Sequence, residues 1–242
     1  MKTLAWMLPL IATLSCAPAP SGPDAIEGTF VLEEVAAGQG LPADLDESVI
    51  VNPLTGGIAD LFIYLRTPPP VIDPAWASKE KEVVIESRGG EFHPRAAVVR
   101  TDQVTRWTNS DPTGFLLQMY GIANSNQVLF VPREDNVGVT MKLPKAEPIP
   151  MPVQADCDPQ HAGQWMRLLV VDHPFAAVTD RNGRFRIEGL PPGEHSFRVW
   201  HSSCGWIEKD WKVVARPGQT LRLSTAKVAM SRLIPRKKRG PE

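Results

Sequence analysis

Proline interrupts this chain so often that long helices are ruled out. The sequence carries 24 prolines in 242 residues, and they fall between short apolar runs, as in "TPPPVIDPAW", "EPIPMPV" and "GLPPGEH". Proline has no backbone N–H to donate and clashes with the preceding turn of a helix, so it confines regular structure to short segments and turns. Between the prolines, "GTFVLEEV", "ADLFIYLR", "EVVIES", "AAVVRT", "QVTRWTN", "NQVLFV", "VGVTMKL", "WMRLLVVD" and "KDWKVVARPGQTLRLS" read as strands. No helical pattern exceeds about two turns. The expected fold class is all-β, built as sandwiches.

Composition narrows the partners. A formal net charge of -1 with 26 basic and 27 acidic residues lacks the basic excess of a nucleic-acid binder. The opening "MKTLAWMLPLIATLSC" places Lys2 before an apolar run, Leu4 to Leu14, too short to span a bilayer as a mature helix. It reads as an export signal, so the expected location is the periplasm or cell envelope. "TLSC" resembles a bacterial lipobox with Thr13 in place of the aliphatic residue; soluble export and a lipid anchor through Cys16 both stay open. Cys157 and Cys204 would then stand in a compartment that permits disulfides.

Turn chemistry marks the C-terminal third. In "DRNGRFRIE", Asn182-Gly183 suits a tight hairpin turn, and Phe185 and Ile187 alternate with Arg184, Arg186 and Glu188. In "LPPGEH", Pro191 and Pro192 stiffen a turn that Gly193 frees. The tail "SRLIPRKKRGPE" is basic and reads as a solubilising, unstructured end.

"ADCDPQHAGQWM" sets a thiolate, an imidazole and a thioether in one loop, the donors a type 1 copper centre takes from its main ligand loop. Together with "TGGIADLFIYLR", "NSDPTG" and the run "CDPQHAGQWMRLLVVDHPFAAVTDRNGRFRIEGLPPG", this loop resembles the exported cupredoxin-like proteins of bacteria, often labelled methylamine-utilisation-like or carboxypeptidase-regulatory-like. The resemblance implies a cupredoxin-like Greek-key sandwich followed by, or merged with, a small transthyretin-like β-sandwich. It divides the chain into a signal and linker at 1–25, a cupredoxin-like domain at 26–171, a carboxypeptidase-regulatory-like domain at 172–225 and a basic tail at 226–242. It also implies copper ligands at Cys157, His161 and Met166, with Trp165 shielding the site.

The departures from the family pattern concern the metal. The family's first histidine follows Asn-Ser-Asp-Pro by two residues, and Phe115 stands there. Phenylalanine has no lone pair. His93, in "GGEFHPRA", is displaced by two residues from another family histidine and is the candidate fourth ligand. The insertion "AGQ" separates His161 from Trp165. Copper is the one cofactor these residues suggest, and the loss at Phe115 favours none. Cys157 has a second destination, a disulfide to Cys204 that would close a loop of about fifty residues and contribute about 4 kcal/mol by loop entropy; free thiols are the alternative.

Other chemistry is thin. His201 alternates with His195, Phe197 and Val199 and reads as a packed or rim histidine. Ser202 and Ser203 lack the strand-to-helix elbow of a serine hydrolase. "DHPF" at His173 reads as a structural corner. The function expected is therefore an exported, non-enzymatic binding or scaffold protein of the cell envelope, on a degenerate cupredoxin fold, with an unknown protein or envelope partner. The alternatives are periplasmic copper-binding electron transfer, and glycan or surface adhesion through Trp206 and Trp211.

Overall fold

The computed structural model describes residues 25–35, 40–46, 48–68, 70–156 and 164–233. The expected signal, Cys16, Cys157 and His161 lie outside the described residues. The fold is all-β, two stacked sandwiches, as the sequence leads one to expect.

The strands in chain order are β1 (Ala25–Leu32), β2 (Leu61–Leu65), β3 (Glu82–Arg88), β4 (Glu91–His93), β5 (Ala96–Arg100), β6 (Val104–Asn109), β7 (Phe115–Met119), β8 (Gln127–Val131), β9 (Asp135–Lys142), β10 (Met151–Asp156), β11 (Trp165–Val171), β12 (Ala176–Val178), β13 (Arg184–Glu188), β14 (Gly193–His201), β15 (Gly205–Ala215), β16 (Leu221–Arg222) and β17 (Ala226–Val228). Two single 3-10 turns, Pro74–Trp76 and Met230–Arg232, are the helical pieces among the described residues.

One sandwich faces the sheet β5-β11-β10-β7-β8 against β4-β3-β6-β9. All of its strands lie within residues 82–171. Its core holds Ile85, Phe92, Trp107, Phe115, Leu117, Met119, Val153, Met166 and Leu168, all fully or nearly fully buried. Alternation positions them: β7 reads buried, exposed, buried, half-buried, buried, so Phe115, Leu117 and Met119 point inward while Leu116 faces out.

The other sandwich is assembled from both ends of the chain. It faces the sheet β13-β1-β16, with β17 also on β1, against β12-β2-β14-β15. Here the structure corrects the expected division. Residues 26–65 do not belong to the cupredoxin-like unit: β1 pairs antiparallel with β13, Ile26 opposite Ile187, and β2 pairs with β12 and β14, Phe62 opposite Trp200. The 82–171 sandwich is an insertion into a discontinuous one. The boundary at 225 shifts as well. Val228 and Leu233 are buried in the composite core, which draws 226–233 into the fold rather than leaving it as tail.

Turns account for the crossing between its sheets. Asn182-Gly183 forms the expected tight turn, with Gly183 at φ 72° and its N–H donating to the Asp180 carbonyl at 2.9 Å. The strands it joins are not a hairpin, because β12 and β13 lie in opposite sheets. The turn packs so closely that a Cβ on Gly183 would lie 2.1 Å from the Phe30 carbonyl oxygen.

The two sandwiches share a third apolar layer. β2 is buried at every position, because Leu61, Ile63 and Leu65 face the composite core while Phe62 and Tyr64 face the inserted sandwich. β11 does the same from the other side, with Met166, Leu168 and Val170 inward and Leu169 and Val171 in the shared layer. A strand covered on both faces carries no polar positions, hence the unbroken runs "LFIYL" and "LLVV". Burying each of these large side chains contributes about 1.5–3 kcal/mol, which makes the shared layer a substantial joint.

Candidate metal centre

The candidate ligand loop that the sequence suggests begins at the end of the inserted sandwich where β7 begins and β10 ends. β10 and β7 pair antiparallel, Asp156 opposite Leu116. Cys157 follows Asp156 in the chain, and Phe115 precedes Leu116. The motif "NSDP" holds this end together. Asn109 Nδ2 donates to the carbonyls of Thr113 and Pro132 at 2.8 and 2.9 Å, and its Oδ1 accepts from the Asp111 N–H at 2.9 Å. The Asp111 carboxylate accepts from Ser87 Oγ at 2.8 Å and from the N–H groups of Gly89 and Gly90 at 2.6 and 3.3 Å. Ser87 in turn accepts from Gln164 Nε2 at 2.9 Å. All four side chains are buried. A carboxylate out of water is tolerable only when its lone pairs are matched, and this one is.

Into this scaffold the chain places apolar groups. Phe115 is 0% exposed and meets Phe92 edge-on, ring centroids 6.0 Å apart at 70°. Phe92 meets Trp107 in the same way at 5.7 Å. Met166 is 0% exposed in this core, opposite Val153 of β10. The thioether fills space in this core, a role methionine serves well.

His93 closes β4 opposite Glu86 of β3. It is half-buried, and alternation sets it on the strand face opposite Phe92, away from the core that holds Phe115 and Met166. Trp165 likewise faces away from Met166. It lies between Arg95 and Arg167, at 5.7 and 6.0 Å from ring centroid to guanidinium carbon. Arg167 is also 5.5 Å from the Trp200 ring across the joint. The expected shield of the metal is thus a cation–π contact running toward the other sandwich. Of the expected ligand set, Cys157 and His161 lie outside the described residues. Of the described candidates, Met166 lies in the core and His93 on the opposite face of its strand, so these two do not converge on one point. Among the described residues no three histidine, cysteine, aspartate or glutamate side chains gather as a metal site.

Cys204 is buried in the composite core, its Sγ 3.0 Å from the Leu233 carbonyl oxygen. Trp211 packs edge-on against Phe30 and Phe185 at 5.3 and 6.0 Å, and Trp206 lies under Arg198 at 5.3 Å. Both rings are half-buried.

Two buried histidines act as packing residues. His201 accepts from the Ser203 N–H at 3.2 Å, and burial together with the nearby Arg95 guanidinium lowers its pKa to about 4. His173 accepts from the Phe175 N–H at 3.1 Å and stacks on that ring; burial lowers its pKa to about 4, with Asp172 opposing and Arg100 reinforcing. Neutral at pH 7, they serve as acceptors at the ends of β14 and β11.

No family model and no curated protein matches the chain. Among solved structures, an amicyanin variant in its reduced state is similar over 45% of this chain and 97% of that chain, with 10% identity and a TM-score of 0.30.

Proposed function

We propose that this chain is an exported, non-enzymatic binding or scaffold protein of the cell envelope, built on a cupredoxin-like sandwich that has given up its metal. The observation that carries the reading is Phe115. A fully buried phenyl ring, packed against Phe92, stands where the resemblance expects the first ligand. The Asn109–Asp111–Ser87–Gln164 network still braces that end of the sandwich. The scaffold that would hold a ligand loop rigid is kept, and the donor it would present is replaced by core.

The test is optical. Cupric ion added to the folded, reduced protein should give no intense thiolate-to-copper charge-transfer band, the absorption that makes type 1 centres blue. A stoichiometric blue species would overturn the proposal and favour electron transfer through Cys157, His161 and Met166, with His93 as the fourth donor. Export is tested by fractionating the native host, with metabolic lipid labelling of Cys16 separating an anchored from a soluble form.

A further inference from the structure

The inserted sandwich is open along one side. β8 and β9 are the outermost strands of its two facing sheets there, and the inward side chains Leu129 and Met141 pack against its core while staying only half-buried. Hydrogen-bond parity shows what β8 presents on that side. The N–H of Tyr120, just past β7, donates to the Pro152 carbonyl at 3.1 Å, so the even-numbered residues of β7 bond to β10 and the odd-numbered ones to β8. Phe115, Leu117 and Met119 lie opposite Val131, Leu129 and Gln127, whose backbone groups are thereby satisfied. The N–H and C=O groups of Val128 and Phe130 turn the other way, toward the edge where β8 has no further strand among the described residues.

The side chains at these positions are apolar and exposed, Val128 by 64% and Phe130 by 58%, with Leu116 opposite Phe130 on β7. Edge strands are normally guarded by a charge, a proline or a bulge, and Gln127–Val131 holds none of these. The strand is also complementary to itself. A two-fold axis at Leu129 would set Val128 opposite Phe130 of a second copy, matching the outward backbone groups of both, and would set Arg133 and Glu134 opposite Ser125 and Asn124, so no charge meets its like. At 58% exposure, Phe130 alone offers about 100 Å² for burial. With Val128, Leu116 and the strand backbone, each copy would bury about 500 Å², or about 1,000 Å² for the pair, the lower bound of specific interfaces. We propose that β8 pairs antiparallel with β8 of a second copy of this chain, joining two five-stranded sheets into one and forming a weak symmetric dimer.

Sedimentation velocity of the full chain from about 1 to 500 µM should show monomer and dimer in exchange, with a dissociation constant in the micromolar range. Amide hydrogen exchange at Val128 and Phe130 should slow as concentration rises, while that at Leu129, already bonded to β7, should change little. Val128→Pro removes only an outward N–H, and Phe130→Lys puts a charge at an exposed position; each should weaken association at least about tenfold and leave the circular dichroism spectrum unchanged. Val214→Lys, at an exposed position on β15 of the other sandwich, should associate like the parent. The proposal fails if the chain stays monomeric throughout, if association runs past the dimer, if Val128→Pro and Phe130→Lys associate like the parent, or if Val214→Lys weakens association as they do. Should Val128→Pro misfold, Phe130→Lys and the exchange rates decide.

Discussion

Phe115 and Phe92 meet edge to face with ring centroids 6.0 Å apart, and on the function proposed above this contact stands in for the first imidazole. The pair closes one end of the inserted sandwich with apolar surface. Each side chain is essentially inaccessible to water, so the contact supports the core as well as excluding a donor.

Phe115→His separates those two roles. An imidazole there loses the aromatic packing and is left polar in an apolar surrounding, so stability should fall by about 2–4 kcal/mol in chemical denaturation. The same variant should gain affinity for copper, read as a new visible charge-transfer band that the parent lacks. A variant that loses stability and gains no copper affinity would place the first-ligand position elsewhere.

Asp111→Ala should be among the more damaging single changes at this end. It removes the acceptor from Ser87 Oγ and from the N–H groups of Gly89 and Gly90. Ser87 is fully buried while Gly89 is exposed and can turn to water, so the orphaned hydroxyl dominates and a loss of about 1–3 kcal/mol is expected from urea unfolding. Asp111→Asn, which keeps one acceptor oxygen, should lose less.

Acidification should weaken the fold before most carboxylates titrate. His173 and His201 have pKa values of about 4 in the folded chain, against an ordinary value of 6.5 for histidine. A base whose folded pKa is depressed binds fewer protons when folded, so its contribution is complete above pH 6.5 and is lost as pH falls toward 4. Each histidine contributes a slope of at most about 1.4 kcal/mol per pH unit in that window. Asp60, beside the same Arg95, opposes this weakly, since burial raises its pKa and favours the folded state in acid. His201→Asn should flatten the stability–pH curve between pH 4 and 6.5, a result checked by thermal melts across that range.

Gly183→Ala tests the turn between the two sheets. Its φ of 72° is strained for alanine, and the new methyl would meet the Phe30 carbonyl oxygen at 2.1 Å. Backbone cannot yield as a side-chain tip does, so a loss of about 3 kcal/mol or more is expected in thermal or urea unfolding.

Local pattern carries much of this fold and little of its connectivity. The unbroken apolar runs of β2 and β11 mark strands covered on both faces, and the alternation of Phe185 and Ile187 gives the inward face of β13. What alternation cannot name is a partner. Nothing near Ile26 indicates that it lies opposite Ile187, because pairing depends on faces brought together by the rest of the chain, and so the division at 26–171 that the resemblance implies groups β1 and β2 with strands they do not pair with. At the candidate site, the place of Phe115 after "NSDP" raises the question of a donor, and the structure adds that its ring is buried against Phe92. Gln164 raises no such question: it stands in an insertion that looks like a mere departure, and its hydrogen bond to Ser87 spans 77 residues. Trp165 misleads for a related reason, since the one-residue step from Met166 turns its ring to the opposite side of the strand.

The discontinuous sandwich has a consequence for how the chain is made. During synthesis, residues 82–171 emerge as a complete set of strands, whereas β1 and β2 appear first and must wait until β12 to β17 leave the ribosome before they acquire neighbours. The middle of the polypeptide is therefore able to pair its strands before its beginning can, and a chain of this design spends that interval with its earliest strands unpartnered.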